Sequence, residues 1–315
     1  MRFENNGFAF ELCEGWGREA MSFPDEYSVK KVSDVGIDRN GRVFLLNRSN
    51  RPIIICDSDG NALTYWTIPD MGRPHEISFD RDGNVYITDD EKHVIYKFDE
   101  NGKLLMRLGT PGVFSDTGYV WKEYRTIKHS AGPFNRPTGV SVADDGRIYI
   151  SDGYGNARIH IFSPDGELLK SWGEPGNGKG EFYIPHGILV SGDTVYVADR
   201  ENGRIQLFDL EGNYKTEWKK LHRPSVIKKG PDGLLYICEC KHNDVFGDPA
   251  PSRFCIMTED GEVVARFDSP NSQQPYAPYH SAHGLGVDVD GNVYIGEVGA
   301  PTDGYLCIKK YMRIR

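Results

Sequence analysis

The sequence predicts an all-β fold, a six-bladed β-propeller running as a single domain over residues 1–315. Three observations predict it. First, a glycine turn recurs at Asn40-Gly41, Asp82-Gly83, Asp145-Gly146, Gly192-Asp193, Asp232-Gly233 and Asp290-Gly291, supplying the φ > 0 residues that tight hairpins need. Second, each turn is followed by one strand pattern: Val43-Phe44-Leu45, Val85-Tyr86-Ile87, Ile148-Tyr149-Ile150, Val195-Tyr196-Val197, Leu235-Tyr236-Ile237 and Val293-Tyr294-Ile295. Third, a second turn lies about twenty residues further on in the first five copies. It reads Asp59-Gly60, Asn101-Gly102, Asp165-Gly166, Glu211-Gly212 and Asp260-Gly261. Six four-stranded units of about 40–50 residues make a propeller. A β-sandwich would need this double turn to arise by accident five times.

Within each copy the strands follow from apolar alternation bounded by Gly, Asp and Asn. Residues 185–212 show it most clearly, with strands at 188–190, 194–198 and 204–208. Residues 7–16 read as a strand before the first full copy, and a last strand runs over 306–311. Copy six lacks a fourth strand. The N-terminal strand is expected to supply it, closing the ring and removing exposed sheet edges.

Two insertions break the period. Residues 109–136 carry Tyr119, Trp121, Tyr124 and His129, and residues 241–253 carry Gly247, Pro249 and Pro251. Long loops in a compact domain are often functional.

The formal net charge of −9 argues against nucleic acid, whose binding depends on Lys and Arg neutralising phosphates. No run of about 20 apolar residues is present, so no membrane span is expected. The first residues, Met1-Arg2-Phe3-Glu4-Asn5-Asn6, do not read as a signal peptide, and the expected location is cytoplasmic. The six cysteines (13, 56, 238, 240, 255 and 307) are then expected as free thiols. Cys238 and Cys240 share a strand face and could contribute to a metal site, although no second such pair accompanies them.

The first strand of each copy carries the chemistry. Copies two, four and six open with Pro74-His75-Glu76, Pro185-His186-Gly187 and Ala282-His283-Gly284, where the others have Ser33-Asp34, Pro137-Thr138 and Pro224-Ser225. Alternate blades of six stand about 120° apart, so three equivalent histidines are expected to converge on the axis. Three imidazoles with an open fourth position are the ligand set of a catalytic zinc. The other histidines, at 93, 129, 160, 222, 242 and 280, occupy no repeated inner position and read as surface or packing residues.

The copies resemble NHL repeats, and three segments resemble peptidyl-α-hydroxyglycine α-amidating lyase. These are Ser151-Asp152-Gly153-Tyr154-Gly155-Asn156-Ala157-Arg158-Ile159, the pair Pro185-His186, and Ala198-Asp199-Arg200-Glu201-Asn202-Gly203-Arg204-Ile205-Gln206. The resemblance spans nearly all the repeats and is strongest over 133–206. It implies zinc on His75, His186 and His283, a catalytic tyrosine at Tyr154, and active-site arginines at Arg48 and Arg200. Members of that family that are secreted from animal cells carry a cysteine where Gly155 stands. They also carry an aspartate, associated with a structural calcium, where Gly284 stands.

The implied reaction breaks the C–N bond of an N-acyl or N-carbamoyl carbinolamide, –CO–NH–CH(OH)–COO⁻, giving an amide and glyoxylate. The expected partner is a small-molecule or peptide-like carbinolamide; ureidoglycolate shares the reacting unit. Tyr154 would take the hydroxyl proton, zinc would stabilise the developing alkoxide, and Arg48 or Arg200 would pair with the carboxylate. Two other classes stay open: a metal-dependent hydrolase or lactonase on a six-bladed propeller, and a non-catalytic NHL-type binding scaffold.

Overall fold

A computed structural model describes residues 1–18, 31–219, 221–240, 251–269, 281–299 and 306–314. Among the described residues its strands form six antiparallel sheets, one for each copy read from the sequence, and a short parallel pair of Glu174–Pro175 with Glu181–Phe182. They fall into two compact units, one of residues 70–224 and one of 1–69 with 225–315.

The unit of 70–224 holds copies two, three and four. Each is a meander of four consecutive strands, as in Pro137–Val142, Ile148–Asp152, Arg158–Phe162 and Leu168–Trp172. The second strand is buried on both faces in all three copies. This explains its near-continuous apolar run, against the polar alternation of the outer strands.

The tyrosine of that run is buried for its ring and anchored by its hydroxyl. Tyr86 donates to Asp80 Oδ2 at 3.3 Å, and Tyr149 to the Leu210 carbonyl at 2.9 Å. A buried tyrosine needs such a polar partner at its tip.

The unit of 1–69 and 225–315 holds copies one, five and six. Copy six closes as expected. The strand Phe8–Leu12 pairs antiparallel with Ile308–Ile314, from Ala9↔Ile314 to Leu12↔Tyr311. A further strand, Arg2–Asn5, lies outside it. The last strand therefore runs to 314 rather than ending at 311, because residues 8–12 pair with its far end. Phe10 seals this seam, fully buried and edge-on to Phe254 and Phe267 at 5.7 and 5.2 Å.

The turns differ from the expected two-residue hairpins. Of the six dipeptides read from the sequence, only Gly192-Asp193 is one, with Ser191 paired to Thr194. The commoner form spans five residues. Asp80 N donates to the Asn84 carbonyl at 3.1 Å, Gly83 N donates to the Asp80 carbonyl at 3.0 Å, and Gly83 stands at φ 89°. The Asp80 carboxylate caps the turn by accepting from the N–H groups of Asp82 and Asn84. Only the glycine has positive φ there, so the aspartate is selected as an acceptor rather than for its backbone.

One irregularity positions the site. In copies one, two, three, four and six the first strand slips by one residue against the second. The slip falls just where His75, His186, His283, Ser33 and Thr138 stand. A bulge there takes the local backbone out of the ladder and re-aims its side chains.

Candidate metal and catalytic site

His75 and His186 are both buried within the unit of 70–224, and His283 is buried within the other unit. The bulge explains how two of the rings are held. His75 Nδ1 lies 2.6 Å from the Thr138 carbonyl oxygen, and His283 Nδ1 lies 2.8 Å from that of Ser33. Thr138 and Ser33 are the bulge residues of copies three and one, so their carbonyls can serve a ring. A carbonyl only accepts, so Nδ1 carries the proton and Nε2 presents its lone pair. This backing of the remote nitrogen by a carbonyl is the usual support of a metal-ligating imidazole. A lone pair on an imidazole nitrogen held in this way suits zinc by donor type.

In the unit of 70–224 the site builds around Tyr154. Its hydroxyl lies 3.0 Å from His75 Nε2 and 3.1 Å from His186 Nε2. A hydroxyl has one proton to donate, and its oxygen can accept from another group at the same time. Arg200 Nη1 reaches the same oxygen at 3.5 Å, and its guanidinium lies 5.4 Å from the tyrosine ring centre. Arg200 is held through Nε by Glu201 at 2.8 Å, which Arg223 also grips at 2.7 Å. Burial pushes the Glu201 carboxyl up, but the Arg200 and Arg223 charges outweigh it and hold the group below its ordinary range.

Tyr154 is placed by its neighbours. Its N–H donates to the Arg136 carbonyl at 3.2 Å and that of Gly155 to Asn135 at 3.0 Å. Asp152, fully buried, accepts from Asn135 N at 2.9 Å and Asn156 Nδ2 at 2.8 Å. The insertion of 109–136 is tied to this segment by Thr117 Oγ1 donating to the Gly155 carbonyl at 2.6 Å, and it is held within itself by Asn135 Nδ2 donating to the Ser115 carbonyl at 2.9 Å. The other insertion lies outside the described residues over 241–250.

The structure thus brings His75, His186, Tyr154 and Arg200 together. Arg48 follows the strand Val43–Asn47 in the other unit, half-buried, with its N–H donating to the Lys31 carbonyl at 2.9 Å. Gly284 has no room for the aspartate of secreted lyases, because a Cβ there would run into the Asp34 backbone. His93 and His160 are packing residues, as expected. His93 Nδ1 accepts from Arg136 N at 3.0 Å, with its pKa lowered by burial and then by Arg136. His160 is buried against Phe134, its Nδ1 2.7 Å from Ser171 Oγ. All six cysteines are free thiols, and burial raises the pKa of Cys238 and Cys255.

Sequence reasoning missed Arg73 and Arg136, whose guanidiniums lie beside Tyr154 and Trp121 (Arg73–Tyr154 5.8 Å, Arg136–Trp121 4.1 Å). A signal was present: Arg-Pro opens three copies, at Arg73-Pro74, Arg136-Pro137 and Arg223-Pro224.

A family model described as a 6-bladed beta-propeller matches residues 132–266. Human NHL repeat-containing protein 3 is 32% identical over 323 residues, covering 96% of this chain and 86% of the relative. The chain belongs to the NHL repeat-containing protein family. This NHL-repeat chain is an all-β, six-bladed propeller. It is also 32% identical over 301 residues to rat peptidylglycine alpha-amidating monooxygenase, covering 88% of the chain but only 27% of the relative. Peptidyl-alpha-hydroxyglycine alpha-amidating lyase 1 of Drosophila melanogaster is 29% identical, with 71% of the chain and 42% of the relative covered. The resemblance to amidating lyases read from the repeats therefore holds over most of the NHL-repeat chain. No helix among the described residues is long and apolar enough to cross a membrane.

Proposed function

We propose that this protein is a zinc-dependent carbon–nitrogen lyase that splits an N-acyl or N-carbamoyl α-hydroxyglycine into an amide and glyoxylate. The observation that carries the reading is the Tyr154 hydroxyl, within 3.1 Å of two imidazole nitrogens of the histidine group and 3.5 Å from the Arg200 guanidinium. The similarity to named amidating lyases supports it.

His75, His186 and His283 would hold the zinc, and Gly284 leaves a structural calcium out of the reading. When bound, zinc supplies positive charge that stabilises the oxyanion developing on the substrate hydroxyl. Tyr154 takes the hydroxyl proton. The O–H electrons form the aldehyde C=O as the C–N bond breaks, its electron pair leaves on the amide nitrogen, and that nitrogen receives the proton that Tyr154 took. Arg200 pairs with the substrate carboxylate and turns the carbinol carbon toward Tyr154. Arg48 is the alternative arginine of the reading for that carboxylate. The reading sets the protein in the cytoplasm, supported by its free thiols, with no nucleic-acid partner.

The test is glyoxylate release from N-acyl-α-hydroxyglycines and ureidoglycolate, with metal-loaded and chelated protein. Metal-dependent glyoxylate from at least one substrate is expected. Metal-loaded protein that releases none from any of them would overturn the lyase reading.

A further inference from the structure

Beside Tyr154, two guanidiniums share one carboxylate. Arg136 Nη2 donates to Asp90 Oδ2 at 3.0 Å, and Arg73 donates to Asp90 through Nε at 2.6 Å and again through Nη2. Asp90 is fully buried, Arg136 is 8% exposed and Arg73 is 29% exposed. Two guanidiniums meet on this one carboxylate, and Asp89, also buried, accepts from the Arg73 backbone N–H at 3.0 Å. Glu91 also acts on Arg73, but it is exposed, where water screens its charge. Arg136 gives Asp90 one hydrogen bond and lies 4.1 Å from the Trp121 ring. Arg73 gives Asp90 two, through Nε and Nη2, but its Nη1 makes no hydrogen bond among the described residues, and its guanidinium stands 5.8 Å from the Tyr154 ring and 5.9 Å from Trp121. Trp121 itself is 54% exposed. A partly exposed guanidinium beside the proposed base, with one N–H group left over, is what an anionic ligand would use.

We propose that Arg73, backed by Arg136 and flanked by Trp121, is the subsite for a second anionic group on the acyl side of the substrate. The inference rests on the lyase reading. It names a substrate class, carbinolamides whose acyl part ends in a carboxylate. Arg200 takes the carboxylate next to the carbinol carbon, Arg73 takes the far one, and the exposed indole packs against the methylenes between them.

The probes are N-succinylglycine and the length-matched N-pentanoylglycine, which lack the hydroxyl and do not react, with binding read by calorimetry. N-succinylglycine should bind at least about tenfold tighter, as a charge-assisted pair requires. Arg73→Gln should abolish that preference while leaving N-pentanoylglycine affinity unchanged, and Arg73→Lys should restore part of it. Equal affinities, no binding of either probe, or an equal loss of both in Arg73→Gln would overturn the subsite. Glyoxylate release from the corresponding α-hydroxyglycines separates the two claims. Selective binding without turnover sinks the lyase reading alone, and turnover with equal affinities sinks the subsite alone.

Discussion

Gly153 lies so close to Pro185 that a Cβ on it would run into the Pro185 carbonyl oxygen. On the other side of Tyr154, a Cβ on Gly155 would meet Asn135 Oδ1. Neither glycine is among those with positive φ, so they are needed for close approach rather than for an unusual backbone path. The contact sets the Tyr154 segment directly against the strand that carries His186.

Gly153→Ala should therefore destabilise the protein by about 1–3 kcal/mol through overpacking and displace Tyr154. The exposed Gly132, which has nothing within 4 Å of its Cβ position, is the control. Thermal unfolding of Gly153→Ala and Gly132→Ala checks this. Equal melting temperatures would show that the close approach relaxes freely.

Any one of His75→Ala, His186→Ala and His283→Ala should lower bound zinc below about one per chain, since three ligands define the site. His129→Ala, on an exposed residue, should leave zinc unchanged. Metal analysis of purified proteins decides it, and full zinc in a triple variant would sink the assignment.

Tyr154→Phe should keep its fold and zinc yet lose rate on the order of 10²-fold or more, the usual worth of a general base. Wild-type turnover by the zinc-loaded variant would remove the hydroxyl from the mechanism.

The closing seam should be expensive to damage. Phe10 is fully buried against two rings, so Phe10→Ala should cost about 3–5 kcal/mol. Urea denaturation measures this, and a loss under about 1 kcal/mol would mean that the N-terminal strand is dispensable.

Glu201 gives a pH dependence of stability. Its folded pKa lies below the ordinary 4.5, so its contribution is complete above about pH 4.5 and is lost as pH falls through the folded value. The Glu201 contribution should be lost as pH falls below about 4.5, so Glu201→Gln should show a smaller loss of stability than wild type over that span. At pH 6 the variant should be less stable by about 3 kcal/mol, the cost of breaking a buried pair. Parallel denaturation curves with identical pH slopes would contradict it.

The sequence by itself determined the blades, their number, the N-terminal closing strand and the repeated position of the three histidines. These are periodic features, and a period of turns and apolar runs is visible in one dimension because each blade folds from its own consecutive residues. The tertiary structure alone decided what surrounds the histidines. The one-residue bulge that frees the Thr138 and Ser33 carbonyls depends on pairing between strands, and no residue type announces it. The meeting of Tyr154 with His75, 79 positions away, and the sharing of Asp90 by Arg73 and Arg136 join different blades. Such contacts are set by how neighbouring sheets pack, and a pattern repeated within each blade carries no record of them.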